Sequence, residues 1–370
     1  MGLLDFVFYS FIAVVGIQVL FFIAFFGKFA FLKPEKKSQK NIGISVIICA
    51  KNEAENLKNF LPAVLAQKYP NFEVVLINDA STDDTLDIIE AFAVEHNNIK
   101  IVDVKNIEAF WGNKKYALTL GIKASKYNHL LFTDADCKPL SKYWIQEMSS
   151  CFNNEKSIVL GYGGYSKNKK SFLNKLIRFE TLVTAVQYFS FAKAGIPYMG
   201  VGRNLAYTKE EFFKANGFIN HIKVRSGDDA LFINQIASKN NTAICITENS
   251  FTQSLPKTTF NSWIKQKRRH ISTAKYYKLK HKILLVLLYC SQLLFWLFAT
   301  TLLVTTFKWQ IVVALFTTRI IIYYTIFGAS AKKLVEKDLV LMLPFLEIFL
   351  IITQLTIFIN NLISKPNHWK

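Results

Sequence analysis

The sequence predicts an α/β domain built on a doubly wound, mostly parallel sheet, joined to transmembrane helices, one N-terminal and three C-terminal. Three observations carry this expectation. Hydrophobic residues make up 51% of the 370 residues, with 33 Phe, more apolar side chain than a soluble core of ordinary composition needs. Four stretches, Phe6 to Leu32, Ile283 to Phe307, Ile311 to Phe327 and Leu339 to Ile363, have the length and apolarity for a bilayer, which takes about 20 residues per span. Between the first two, short apolar runs alternate with helical patterns and no comparable apolar stretch occurs, as in a single α/β domain. The expected organisation is therefore 1–40 as a transmembrane helix with a basic flank, 41–270 as the catalytic domain, and 271–370 as a basic interfacial segment with three further spans.

The elements of the central segment follow in order. Ile44 to Ala50 is continuously apolar and reads as a buried strand, followed by Lys51, Asn52 and Glu53 and a helical pattern from Asn56 to Ala66. Glu73 to Ile77 is a second strand, running into Asn78-Asp79-Ala80-Ser81-Thr82-Asp83-Asp84. There the hydroxyls and carboxylates suit the start of a helix that continues to His96, and Asp83 and Asp84 read as helix-start residues. Asp79 differs, because it falls at the carboxyl end of its strand, where open parallel sheets bind ligands. Lys100 to Val104 is a third strand, Asn113 to Ala124 a helix, and His129 to Thr133 a fourth strand that delivers Asp134-Ala135-Asp136. Two carboxylates at alternate positions of a strand end offer hard oxygen donors suited to Mg²⁺ or Mn²⁺ shared with a diphosphate.

Charge separates the classes of partner. The formal net charge of +19 accompanies no helix-turn-helix, zinc-finger or RNA-binding signature, and much of it lies beside the apolar stretches, so nucleic acid is not expected while anionic lipid headgroups and a diphosphate are. Lys28, Lys33, Lys36, Lys37 and Lys40 follow the first stretch, Lys275, Lys278, Lys280 and Lys282 precede the second, and Lys332, Lys333 and Lys337 separate the third from the fourth. By the positive-inside rule these flanks are cytoplasmic, giving a multi-pass protein of the cell inner (plasma) membrane with a cytoplasmic catalytic domain and both termini outside. The first stretch is too long for a signal peptide and lacks a cleavage site. The five cysteines form no C-x-x-C pair and read as reduced and structural.

With these elements in place, an ordered set of short motifs resembles the family 2 inverting glycosyltransferases of the GT-A fold, in the membrane-bound branch of cellulose, chitin and hyaluronan synthases and ceramide glucosyltransferase. The set runs Ile48-Cys49-Ala50-Lys51-Asn52-Glu53, Asn78-Asp79-Ala80-Ser81, Lys114-Lys115-Tyr116-Ala117-Leu118, Asp134-Ala135-Asp136, Gly227-Asp228-Asp229 and Gln266-Lys267-Arg268-Arg269, and spans about Ile44 to His270. The resemblance implies a hexosyltransferase using a nucleotide-sugar donor, in the first place a UDP-sugar. Ala50 (through its backbone), Glu53, Asp79 and Lys114 would bind the donor, and Lys115 reads as a solvated charge. Asp134 would contact the ribose or sugar and share with Asp136 the metal that offsets charge on the departing diphosphate.

The segment from Val201 to Tyr207 resembles the family's acceptor-side loop, with Gly202 and Asn204 as acceptor contacts. Inverting transfer needs a base for the attacking hydroxyl. Asp229 fills the second acidic place of the family's pair, at the head of a helix from Ala230 to Ala237, with Asp228 as its alternative. Gln266-Lys267-Arg268-Arg269-His270 matches the family's Q-x-x-R-W except that His270 stands in place of tryptophan. Gln266 and Arg269 would clamp the diphosphate, and His270 either meets a small acceptor or is exposed.

The expected reaction is transfer of a sugar to a lipid-linked or membrane-proximal acceptor, with a processive synthase exporting a polysaccharide as the alternative. A nucleotide-regulated transporter is the alternative of another class, disfavoured because G-x-x-x-x-G-K-[ST] is absent. The intact aspartate set argues against a catalytically silent subunit. Two membrane features complete the reading: Ser171 to Ala194 as an amphipathic helix on the bilayer or a helix packed on the sheet, and mutual neutralisation of Arg319 and Glu347 within the spans, with a lipid phosphate on Arg319 as the alternative.

Overall fold

The computed structural model describes residues 2–33, 40–105, 114–224 and 226–364. Lys36 and Lys37 of the first basic flank, and the helix start expected at Asn113, lie outside these residues. The described chain forms two compact units, one of residues 40–167 and 195–257, the other of 2–33, 168–194 and 258–364.

In the first unit, ten strands arise in chain order: β1 Ile44–Ala50, β2 Phe72–Asp79, β3 Ile99–Val104, β4 His129–Phe132, β5 Cys137–Pro139, β6 Ile158–Leu160, β7 Gly163–Tyr165, β8 Leu205–Thr208, β9 Thr242–Ile244 and β10 Thr252–Ser254. Seven make one sheet in the order β3-β2-β1-β4-β8-β6-β9, and β5, β10 and β7 make a second. β1 pairs in parallel with both β2 and β4, so the strand order reverses direction at β1, which is where a doubly wound sheet opens its ligand crevice. β8 runs antiparallel to β4 with Leu205 opposite Phe132, and this brings the residues before Leu205 to the carboxyl edge of β4. Ile48, Val74, Leu76, Leu131 and Val159 form part of one core under this sheet.

The helices obey the same physics. Ala54–Leu65 buries Ala54, Leu57, Leu61 and Val64, a single apolar stripe facing the sheet. Lys114–Ala124 lies so close to β2 that a Cβ on Gly121 would stand 2.2 Å from Ile77 Cδ1, so a hydrogen is required there. One sequence expectation changes. Leu205, Ala206 and Tyr207, expected in a loop, belong to the buried strand β8. The short strands β5 to β10 gave no periodicity to read, because three or four residues are too few to show alternation.

The second unit holds four helices long and apolar enough to cross a membrane, Leu3–Ala30, Leu279–Val304, Trp309–Lys333 and Lys337–Ile363. The Arg319 guanidinium donates to both carboxylate oxygens of Glu347, at 2.9 Å for the Nη1 bond, and its Nε donates to Gln18 Oε1 at 2.7 Å. The guanidinium also lies 4.5 Å from the Phe295 ring centroid. An isolated charge at this depth would be costly, and the Glu347 carboxylate and the Gln18 amide oxygen compensate it.

The helix Phe172–Lys193 is grouped with these spans instead of the sheet domain, as is Phe260–Ile271, which moves both out of the expected 41–270 block. Phe172–Lys193 buries fifteen of its residues around its whole circumference, which is the signature of a packed helix and not of one lying on a bilayer. Phe189 stacks on Phe29, Phe172 meets Phe349 edge-on, and Arg178 pairs with Glu336 and Asp338. The five cysteines are all free thiols.

Candidate active site

The site is assembled at the carboxyl edge of β1, β2 and β4. A cleft there is lined by Cys49, Lys114, Thr133, Asp134, Gly202, Tyr207, Asp228 and Asp229. Each acidic group arrives by a different route. Asp79 ends β2 and is 5% exposed; burial raises its carboxyl above the ordinary range, against the pull of Lys51 and Lys114. Asp134 follows β4 after one residue. Asp228 and Asp229 precede the helix Ala230–Ile236 and are reached through Gly227, whose φ of +85° suits glycine alone.

The loops leaving β1 and β2 brace each other. The Asn52 N–H donates to Ser81 Oγ at 3.0 Å, while Asn52 Oδ1 accepts the Thr82 N–H at 2.8 Å. The Glu53 N–H donates to Thr85 Oγ1 at 2.8 Å and the Ala54 N–H to Asp83 at 3.3 Å. Asp83 thus ties two βα loops together, beyond the helix-start role its position suggests. Asn52 and Ala80 both adopt left-handed φ, 55° and 49°. Asparagine tolerates this, but for alanine it stores strain of order 1–2 kcal/mol, the kind found at binding edges. Glu53 contributes no side-chain cap to its helix; its carboxylate accepts from Asn56 Nδ2 at 2.5 Å and lies near enough to Asp136 to raise it.

Lys114 is the electrostatic hub. Its Nζ donates to Asp134 Oδ1 at 2.6 Å and lies 3.5 Å from Asp228 Oδ2. Burial opposes the ammonium charge, but Asp134 and Asp228 more than offset this and hold its pKa well above the lysine range. Asp229 accepts the Gly202 N–H at 2.7 Å and the Ala230 N–H on its other oxygen. Burial, then the neighbouring Asp228 charge, push the Asp229 carboxyl up to about 6, against those two amides and Lys114. A carboxylate tuned toward neutrality and open to a cleft is what general-base chemistry requires.

Asp134, Asp136 and Cys137 each bring one ligand atom within 4.8 Å of the others. Burial, then the Asp134 charge, raise Asp136, so this edge holds more negative charge than its surroundings compensate. Two carboxylates in that state fit a hard divalent cation; the Cys137 thiol, driven up by burial, donates to Asp136 and adds no charge.

Two expected assignments are corrected. Asn204, expected to touch the acceptor, is fully buried: its oxygen accepts Trp144 Nε1 at 3.0 Å and its amide donates to Tyr162 O and Ser250 O at 2.9 and 2.7 Å. With its hydrogen-bonding capacity spent inward, it supports the loop from behind. Lys115, expected to be solvated, is 2% exposed. It was legible in principle, since Lys115, Leu118 and Ile122 form one buried stripe at helical spacing. Arg203 was also missed: its guanidinium stacks 4.2 Å from the Tyr165 ring centroid and donates to Gly164 O, which secures the turn carrying Gly202. Gln266, Arg269 and His270 stand on the helix Phe260–Ile271 of the membrane unit, with His270 exposed.

Comparison with known proteins adds a lineage to this geometry. Residues 45–219 match the family described as Glycosyl transferase family 2. The poly-beta-1,6-N-acetyl-D-glucosamine synthase of Staphylococcus epidermidis is 36% identical over 132 residues, 35% of this chain and 30% of that protein. The synthase of the same name from Staphylococcus aureus (strain COL) is 34% identical over 104 residues, 28% of this chain and 24% of that protein. The matched stretch therefore spans less than a third of these relatives' length. A mannosyltransferase from Pyrobaculum calidifontis, solved in complex with GDP-Man and Mn²⁺, superposes with a TM-score of 0.59 over 92% of this chain and 97% of its own, at 17% identity. That likeness shows the GT-A fold.

Proposed function

This chain carries a glycosyltransferase family 2 domain of the GT-A fold, and we propose that it moves a hexose from a nucleotide sugar, in the first place a UDP-sugar, to a lipid-linked or membrane-proximal acceptor with inversion at C1. The observation that carries the reading is Asp229: a carboxylate fixed by the Gly202 N–H, raised to about 6, and facing the same cleft as Lys114, Asp134 and Asp228.

In this mechanism Ala50, Glu53 and Asp79 receive the nucleoside at the crevice beside β1. Lys114, already bridging Asp134 and Asp228, meets the phosphates. Asp134 and Asp136 would hold a divalent Mg²⁺ or Mn²⁺, which when bound offsets charge on the departing diphosphate. Asp229 takes the proton of the acceptor hydroxyl as that oxygen attacks C1 from the face opposite the leaving group, and Asp228 keeps the charge balance with Lys114. The Gly202 amide orients Asp229 and leaves room for a sugar to approach the backbone. Gln266 and Arg269 are proposed to close on the diphosphate, and His270 to meet a small acceptor.

The four apolar helices and their basic flanks support a multi-pass protein of the plasma membrane with this domain on the cytoplasmic side. A second reading, repeated extension of an exported polysaccharide, draws support from the names of the Staphylococcus relatives. The test is turnover of UDP- and GDP-sugars by detergent-purified protein, with and without Mn²⁺ or Mg²⁺, with membrane lipid extract as acceptor. Metal-dependent UDP release with a new glycolipid is expected; a growing saccharide would favour the second reading. No turnover together with no donor binding would overturn both.

A further inference from the structure

On the helix Lys114–Ala124, successive side chains diverge by about 100°, so two adjacent lysines serve two different places. Lys114 faces the carboxylates of the cleft. Lys115 lies on the buried stripe with Leu118 and Ile122, and its Nζ donates to three main-chain carbonyls: His221 at 2.8 Å, Val224 at 2.6 Å and Ser226 at 2.9 Å. An ammonium has three N–H donors, and these three acceptors match them. His221 ends the short helix Ile219–His221, and Val224 and Ser226 follow it in the chain just before Gly227, Asp228 and Asp229. A methionine would fill the same volume without the cost of burying a charge, but it would leave those carbonyls ungathered.

We infer that Lys115 is a positioning residue for transfer: its ammonium gathers the carbonyls of His221, Val224 and Ser226 and thereby fixes where Gly227 delivers Asp228 and Asp229. The inference rests on the reading of Asp229 as the base. Lys114, Asp134, Asp228 and Asp229 line the cleft, whereas Lys115 lies on the buried stripe and acts through the acidic pair. Among the described residues, Asp228 and Asp229 favour its charge, and the protonation of His221 is opposed by burial and by Lys115. Burial outweighs the two carboxylates and brings Lys115 down to about 8. The clasp is therefore intact near neutrality and loosens at mildly alkaline pH, when the neutral amine loses both its charge and one donor.

The test pairs hydrogen exchange of residues 219–229, corrected for intrinsic rates, with steady-state turnover of UDP-N-acetylglucosamine, UDP-glucose and GDP-mannose, from about pH 6.5 to about 9.5. Wild type should lose protection of this turn and lose kcat together as pH passes about 8. In Lys115→Met the turn should exchange faster at every pH. Its kcat should fall by about 10- to 100-fold with donor KM within about three-fold, and the alkaline limb should vanish. A general loss of fold would instead raise exchange throughout the domain and give no selective kcat effect. The proposal is overturned by a wild-type turn whose exchange is unchanged across this range, or by a folded variant that keeps the alkaline limb. Should the variant not fold, the wild-type measurements decide alone. Asp229→Asn run in parallel separates the two ideas: full turnover there removes the premise, while exchange still reports whether Lys115 holds the turn.

Discussion

Replacing Asp229 by Asn tests the base directly, and the structure sets the size of both consequences. Asn is nearly isosteric, and its one carbonyl oxygen can accept either the Gly202 or the Ala230 amide that the carboxylate now satisfies together. The loss of the second acceptor costs about 1–3 kcal/mol. Against this, the carboxyl rises from 3.8 to about 6 on folding. At 1.36 kcal/mol per unit that is about 3 kcal/mol, an upper bound because Asp229 keeps some contact with the cleft.

The sign follows from proton binding. With the pKa raised in the folded state, the native protein holds this proton more tightly, so Asp229 lowers stability as pH climbs from about 4 to about 6 and the deficit persists above. Asn is free of that deficit, and the variant should melt within about 2 kcal/mol of wild type at pH 7. Turnover should nonetheless fall by about 10²- to 10⁴-fold, with nucleotide binding retained. Wild-type kcat/KM should itself fall on the acid side, to about half at pH 6 and about a tenth at pH 5, as the base is protonated. UDP release, differential scanning fluorimetry and nucleotide titration read these quantities. A folded Asp229→Asn protein turning over within about ten-fold of wild type, or a wild-type profile flat from about pH 5 to 7, would refute the reasoning.

The other predictions address the remaining parts. Lys114→Met removes the cation between Asp134 and Asp228, which should weaken nucleotide-sugar binding by about ten-fold or more and move the acid limb above 6, since Lys114 lowers Asp229; isothermal titration and the pH profile check each. Arg319→Met strands the Glu347 carboxylate among the spans and should cost about 3–5 kcal/mol in detergent, whereas the exchanged pair Arg319→Glu with Glu347→Arg should recover folded yield; no recovery would count against the pair as a self-contained unit. Asn204→Ala leaves Trp144 Nε1 without its acceptor and takes a donor from the Tyr162 and Ser250 carbonyls, of which Tyr162 keeps the Thr252 N–H, and should lower thermal stability by about 2–4 kcal/mol, a loss that a residue exposed to the acceptor would not show.

Much of the sheet was legible because buried parallel strands are long apolar runs. Ile44–Ala50 agrees end to end with its reading, and β2, β3 and β4 differ by one or two residues at their ends. The aspartates were legible for the same reason, since a polar residue ending such a run sits at the sheet's carboxyl edge. The resemblance set Lys114 apart from Lys115 but read Lys115 as solvated, and it gave Gly202 and Asn204 the same role. Residues close in the chain point in unlike directions, and the packing around them says which are turned inward.

The sequence by itself determined the division between a sheet domain and apolar helices, the positions of the first four strands along the chain, and the place of Asp79, Asp134 and Asp136 at strand ends, because periodicity and strand ends are local properties of the chain. It also anticipated the pairing of Arg319 with Glu347, because a charge in an apolar span has few partners to choose from. Tertiary structure alone decided the rest. The Gly202 amide meets Asp229 across a gap of 27 residues, Lys114 reaches Asp134 across 20, and Lys115 reaches Ser226 across 111. Such contacts depend on strand order and helix rotation, so the proton affinity of Asp229, raised by burial and Asp228 and lowered by the Gly202 and Ala230 amides and Lys114, is a property of the folded molecule and not of any motif within it.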